Sequence, residues 1–214
     1  MVKEYMYIAL EGTKGTGKST IFNQLELALQ YDGVKFASFS PTKPMPTDLW
    51  WEKAYAQYSE VDQFIEELYH ARANHHAKNI SFDQPLILGD RSILTSIITR
   101  WPNDPQKLHS YIKNIRAQEY AVPIPDIVIY LDLPLEVTLQ RLANRERNYG
   151  LRDEQIENLI KAKNAYEEFF KLKNELGFSE MRYQIFDANQ NQVELFSKIH
   201  NLVKIELEKS MVFQ

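Results

Sequence analysis

Nine consecutive residues hold most of the chemistry this chain can do. Gly12 to Thr20 reads Gly-Thr-Lys-Gly-Thr-Gly-Lys-Ser-Thr, so Gly12, Gly17, Lys18 and Ser19 fall into the phosphate-binding pattern G-x-x-x-x-G-K-[ST]. Glycines let consecutive N–H groups turn inward, and the stretch Gly12, Thr13, Lys14, Gly15, Thr16, Gly17 would thereby cradle a nucleotide's phosphates. The positive end of a following helix, beginning near Lys18, Ser19 and Thr20, would add to the attraction. Lys18 would act as a mobile charge on the β- and γ-phosphates, and Ser19 would offer its hydroxyl to Mg²⁺.

Two apolar runs further on end in acids. Pro85 to Asp90 (Pro-Leu-Ile-Leu-Gly-Asp) is followed by Arg91 and Ser92, and Ile127 to Asp132 (Ile-Val-Ile-Tyr-Leu-Asp) by Leu-Pro. Buried parallel strands read as continuous apolar runs, and functional residues collect at their carboxyl ends. Asp90 is therefore the first candidate for orienting a Mg²⁺ shell or an acceptor, and Asp132 the second. Arg91 could grip phosphate through its planar fork. Arg141, Arg145 and Arg147 follow closely, with Arg152 just beyond. Arg141 and Arg145 are four apart on one helical face, so guanidinium groups could close over transferring phosphates. The alternative is a solvated face neutralised by Glu146, Asp153, Glu154 and Glu157. Lys43 is the charged residue of a proline-rich loop where an acceptor would be met. His75 and His76 point about 100° apart on a helix and make a poor chelating pair, so both read as surface or substrate-lining residues.

The elements that must position these residues follow from periodicity. Tyr5 to Leu10 predicts a buried strand ahead of the loop, and Ile21 to Leu29 has helical apolar spacing behind it. Asp32-Gly33 ends that helix, and Val34 to Phe39 predicts a second strand. Three prolines in Pro41 to Pro46 require a loop. Trp50 to Ile80 predicts helix with a break near Ser59-Glu60; Leu94 to Trp101 and Gln106 to Glu119 predict two more. Pro134 opens a helix at a favourable first-turn position. Asp153 to Leu176 is a long amphipathic helix capped by Gly177, Tyr183 to Asp187 a last strand, and Gln192 to Lys209 a closing helix. Strands alternating with helices imply a three-layer α/β sandwich, with helices on both faces of a mostly parallel sheet of about five strands. We expect one domain over residues 1–214, with a short lid around 141–154.

Bulk numbers narrow the partners. The 25 basic and 29 acidic side chains give a formal net charge of −4, without the basic excess of a nucleic-acid surface. Free nucleotides are the natural phosphate partner. Cysteine is absent, which excludes disulfides and thiolate chemistry. No apolar run has the length of a membrane span, and the first residues lack the apolar stretch of a secretory signal. A soluble cytoplasmic protein is expected, with neither nucleic acid nor membrane as partner.

Taken together, these residues resemble the thymidylate kinase family, within the P-loop nucleoside and nucleotide kinases, over nearly the whole chain. Glu11 to Thr20 resembles the family's phosphate loop. Gly89-Asp-Arg-Ser-Ile-Leu-Thr-Ser96 resembles its Asp-Arg-Tyr stretch, which implies that Asp90 and Arg91 place the acceptor phosphate and its reacting oxygen, with Ser96 among the acceptor-binding residues. Arg72, in His-Ala-Arg-Ala-Asn-His-His, resembles the helix arginine that reaches the acceptor base. Pro125 to Arg145 resembles the fourth strand, the next helix and the entry to the lid. That likeness implies that Arg141 grips the donor nucleotide and that Arg145 and Arg147 act from the lid.

The departures concern the acceptor. Lys14 stands where the family usually has an acid, Thr42-Lys43-Pro44 where it has Arg-Glu-Pro, Ser92 where it has tyrosine, and Arg100 where it has a glutamine near the base. A lysine and an arginine in such places would suit a different base or an additional anionic group. The resemblance implies Mg²⁺-dependent transfer from ATP to a nucleoside monophosphate, thymidylate first, in a homodimeric enzyme. The rivals are a deoxynucleoside kinase of the same superfamily and a non-catalytic nucleotide-binding protein.

Overall fold

The computed structural model describes residues 5–59, 61–144 and 154–212. Five strands, β1 (Met6–Glu11), β2 (Phe36–Phe39), β3 (Leu86–Asp90), β4 (Ile127–Asp132) and β5 (Arg182–Asp187), form one sheet in the order β2-β3-β1-β4-β5. Every pairing in it is parallel. The helices are α1 (Lys18–Tyr31), α2 (Trp50–Tyr58), α3 (Asp62–Asn79), α4 (Ile93–Thr99), α5 (Leu108–Gln118), α6 (Leu135–Ala143), α7 (Ile156–Leu172) and α8 (Gln192–Val212), with a 3₁₀ turn at Pro105–Lys107 before α5.

Alternation along each strand divides the core into two layers. Tyr7, Ala9, Ile87, Val128 and Tyr130 face α3, α4, α5 and α7 in one buried cluster. Ile8, Leu10, Leu86, Leu88, Ile129 and Leu131 face α1 and α8 in the other. The three-layer sandwich expected from the sequence is the architecture observed, with the sheet wholly parallel. A satellite cluster of Met45, Ala54, Phe64 and Leu68 holds α2 against α3 beside the proline loop.

Most element bounds move by only a few residues. The break expected near Ser59-Glu60 falls between α2, which ends at Tyr58, and α3, which begins at Asp62. Leu94 to Trp101 shortens to Ile93–Thr99, because Trp101 turns down onto Phe169 and gives its indole N–H to Glu168. α7 ends at Leu172, yet Gly177 still closes the turns that follow it. Phe178 N–H donates to the Lys173 carbonyl at 2.8 Å and Gly177 N–H to that of Asn174 at 3.3 Å, a Schellman arrangement with Gly177 at φ 83°. One shift matters for function. β1 runs a residue past Leu10, so Glu11 belongs to the strand and its side chain turns into the protein with 0% exposure.

The connections set the site. From β1 the chain crosses to α1 on one face and from β3 to α4 on the other, which opens a crevice between the carboxyl ends of these neighbouring strands. Their register brings Leu10 opposite Asp90.

Candidate active site

The phosphate loop wraps between β1 and α1 on three left-handed glycines, Gly12 (φ 143°), Gly15 (φ 87°) and Gly17 (φ 89°). At Gly12 a Cβ would lie 2.6 Å from the Leu131 carbonyl oxygen, so close approach to β4 and the dihedral angle both demand glycine. Gly17 caps α1 without a side-chain acceptor. The first amides of α1 thus remain directed at whatever lies in the loop. Ser19 and Thr20 are exposed there, while Thr13 and Lys14 are half-buried.

Lys18 folds back into the loop with 6% exposure. Its Nζ donates to the Thr13 carbonyl at 2.6 Å and to Thr16 Oγ1 at 3.3 Å. Burial pulls its pKa well below the usual lysine value; Arg91 and Lys14 push the same way, and Glu11 and Asp90 oppose them. Two cations therefore converge on one place, which is what a phosphate-bearing ligand requires.

Glu11 is the hidden counter-charge. Its Oε1 accepts from Ser92 N–H and Ser92 Oγ, both at 2.8 Å, and its Oε2 from Thr95 Oγ1 at 2.9 Å and Tyr166 Oη at 2.6 Å. Four donors saturate a carboxylate that would otherwise be costly to bury. Burial and Glu11 together raise the Tyr166 hydroxyl well above its ordinary value, which keeps it a donor. Arg91 follows Asp90 in a left-handed conformation (φ 76°), its N–H donating to the Leu10 carbonyl at 3.0 Å and its Nη1 to Thr95 Oγ1 at 3.1 Å. Burial would lower its pKa; Tyr166, Glu11 and Asp90 more than reverse that.

On α3 the arginine singled out from the sequence is already engaged. Arg72 Nε and Nη2 donate to the two oxygens of Glu52, each at 2.6 Å, and the guanidinium lies 5.7 Å from the ring of Tyr55 and 5.6 Å from that of Tyr69. Glu52 also accepts Met45 N–H at 2.8 Å, tying the proline loop to α2 and α3. Burial would raise its pKa, but Arg72 and Met45 bring the net shift down. Arg100 caps α4 and stands 5.7 Å from the same Tyr69 ring, with Nε and Nη2 buried and unbonded. Ser96 is buried on α4. Lys43 stands over the Phe22 ring at 5.8 Å, and its carbonyl lies 3.0 Å from His76 Nε2.

Arg141 Nη2 donates to the Ala188 carbonyl at 3.0 Å, and both line a cavity of ≈ 360 Å³ with Gly15, Thr16, Thr20 and Gln190. This cavity continues from the phosphate loop, where a donor nucleotide's remainder would extend. Asp132 is ion-paired to Lys163 of α7, which separates it from Asp90 as a metal candidate. Ser19 and Asp90 supply hard oxygen donors of the kind Mg²⁺ prefers, and Mg²⁺ commonly takes one or two protein oxygens with phosphates and waters completing its shell. Among the described residues no group of three or more His, Asp or Glu side chains could hold a metal alone. Arg145, Arg147 and Arg152 lie outside the described residues.

Sequence reasoning named Glu11 only as the flank of the loop and missed Glu52, Thr95 and Tyr166. Glu52 and Tyr166 act through partners distant in the chain, as Thr95 does toward Glu11, and no local spacing reveals those contacts. An acid followed directly by the loop glycine was the one available signal.

A family model described as thymidylate kinase matches residues 10–199. The probable thymidylate kinase 1 of Saccharolobus solfataricus is 28% identical over 203 residues, spanning 94% of this chain and 97% of that protein. The thymidylate kinase of Acinetobacter baylyi is 24% identical over 193 residues, 86% of this chain and 92% of that one. Among solved structures, deoxyadenosine kinase from M. mycoides with bound dATP superposes with a TM-score of 0.61 at 23% identity, covering 93% of this chain and 100% of that chain. The same kinase with the products dCMP and a flexible dCDP gives 0.65 at 22% identity, covering 93% and 98%. These structural likenesses concern the fold. With its loop, its crevice and its family match over nearly the full length, the chain belongs to the thymidylate kinase family.

Proposed function

We propose that this enzyme transfers the γ-phosphoryl group of ATP to thymidylate with Mg²⁺. The observation that carries the reading is that the Lys18 loop and the Asp90-Arg91 pair leave the carboxyl ends of the neighbouring parallel strands β1 and β3, in a chain whose family model spans residues 10–199. Lys18 and the loop amides would hold the donor phosphates, Ser19 and Asp90 would bind the ion, and Arg141 would line the donor side. Arg91 would grip the acceptor phosphate while Asp90 orients the reacting oxygen. Arg72, Ser96, Arg100 and Lys43 would form the acceptor's surroundings, with the unbonded Arg100 nitrogens able to take an oxygen of the base. The Mg²⁺ ion would neutralise charge developing on the transferred group. Arg145 and Arg147, in the lid around 141–154, would add positive charge there and exclude water. The remaining parts of this reading are a single domain, a cytoplasmic location and a homodimer formed through the exposed aromatics of α2, Trp50, Tyr55 and Tyr58; size-exclusion chromatography with light scattering checks the last.

The test is a screen of ATP consumption with Mg²⁺ against all nucleoside monophosphates and nucleosides, following ADP and phosphorylated product together. Turnover with dTMP is the expected result. Turnover only with a deoxynucleoside would move the assignment to a deoxynucleoside kinase, which the Arg91-Ser92 pair partly resembles. ATP binding without product from any acceptor would remove the kinase reading altogether.

A further inference from the structure

Thr95 lies in the first turn of α4, and its hydroxyl stands between groups of opposite charge. It donates to Glu11 Oε2 at 2.9 Å and accepts from Arg91 Nη1 at 3.1 Å. A hydroxyl has one proton, so giving it to the carboxylate turns the lone pairs toward the guanidinium. Glu11 cannot swing away, because Ser92 and Tyr166 occupy its remaining acceptor positions. The Arg91 backbone is equally fixed: its N–H is bonded to Leu10 and its carbonyl lies 3.3 Å from the Tyr7 hydroxyl. What remains free in Arg91 is a long side chain, and Thr95 holds its tip.

An indirect link has a chemical advantage over an ion pair. A carboxylate bonded straight to the guanidinium would consume two of its donors in the fork geometry that phosphate also uses. Through a hydroxyl, Glu11 lends its charge while taking only one. Among the described residues Lys18 is likewise bonded to Thr13 and Thr16 rather than to Glu11.

We propose that Thr95 is the positioning residue that aims Arg91 at the acceptor phosphate, with Glu11 locking the Thr95 hydroxyl in the orientation this needs. The inference rests on Arg91 gripping that phosphate in the proposed reaction. It explains why a strand-end acid beside the donor loop is bonded to the helix that follows the acceptor arginine. Donor and acceptor halves share one buried anchor.

The experiment compares Thr95→Val, Thr95→Ser, Arg91→Met and the double variant Arg91→Met/Thr95→Val, with kcat and KM for dTMP and ATP and the melting temperature of each. Thr95→Val should raise the KM for dTMP by about tenfold and leave that for ATP within about twofold, the scale of one hydrogen bond to a charged group. Thr95→Ser should restore dTMP binding, and adding Thr95→Val to Arg91→Met should cost nothing further. Thr95→Ala serves in its place if the valine protein does not fold. The positioning role alone is overturned if Arg91→Met weakens dTMP binding while Thr95→Val and Thr95→Ala do not, or if both KM values move together with a lowered melting temperature. If Arg91→Met leaves the dTMP KM unchanged, or dTMP is not turned over at all, the underlying reading fails and takes the inference with it.

Discussion

Lys18 is held by its loop in a state that a highly charged ligand would change. Its ammonium group is buried among a carbonyl, a hydroxyl and a second cation, and burial first, then Arg91, hold its pKa well below the ordinary lysine value. Phosphates placed against it would raise that pKa, so binding ATP should draw in protons, and affinity should fall as pH climbs through the value of the free protein. Calorimetry of ATP binding in buffers of different ionisation enthalpy would detect this uptake, and Lys18→Met should abolish it. A binding heat that does not change from buffer to buffer would count against a depressed lysine. In the same position, Lys18→Ala should lower kcat by at least about a hundredfold, because charge stabilisation at the transferring group is lost. Its melting temperature should hold or rise, since the variant no longer buries a cation beside Arg91. Gly12→Ala should do the reverse: a Cβ 2.6 Å from the Leu131 carbonyl in a left-handed backbone must displace the loop, so stability and ATP binding should fall together.

At the scale of elements, α2, α3 and the proline loop are bound by one ion pair. Arg72 and Glu52 are both nearly buried, at 9% and 7% side-chain exposure, and Glu52 also takes the Met45 amide. Removing one partner strands a buried charge, so Glu52→Gln should destabilise by about 3–5 kcal/mol. Replacing both, as Glu52→Met/Arg72→Met, should recover much of that stability but not acceptor affinity. Equal loss of stability in the single and double variants would contradict this account, and chemical denaturation measures it. Arg72 could be found in the sequence by its resemblance to a helix arginine. Its partner could not, because Glu52 lies across the break at Ser59–Val61 and nothing in the periodicity of either helix says which faces meet. Glu11 was hidden for a related reason. The apolar run of β1 ends at Leu10, and only the pairing of Glu11 with Tyr130 of β4 shows that the strand continues one residue further, with the carboxylate buried. The loop itself, by contrast, was fully legible, since its glycine spacing is a local demand of backbone geometry. The lid arginines 145 and 147 lie outside the described residues, so their part in the site remains a proposal.

Across the whole molecule, alternation and breaker residues were enough to count five strands and to expect helices on both faces. They carry no information on strand order, which depends on which face each crossover takes. The observed order leaves β2 and β5 at the edges, and the layer of α1 and α8 is fastened by charge near its ends. Asp32, after α1, is bonded to Lys204 at 3.0 Å and lies 3.2 Å from His200, both on α8; Lys204 first, and His200 as well, pull its pKa down. Burial would raise Glu206 of α8, but Arg182 of β5 at 2.6 Å and Lys209 at 2.8 Å leave it net lowered. For carboxyl groups depressed in the folded state, the unfolded chain binds more protons in that window, so stability rises with pH there. Their contribution is complete above the ordinary carboxyl values near about 4 and disappears as pH falls through the lower folded values. Asp32→Asn/Glu206→Gln should therefore melt below the parent protein at neutral pH and converge with it in acid, and the gap should narrow in high salt because Arg182 and Lys209 are solvent-exposed. Melting curves from about pH 3 to 8 at two ionic strengths decide it: a gap that persists undiminished in acid would mean that these residues hold α8 through packing rather than charge.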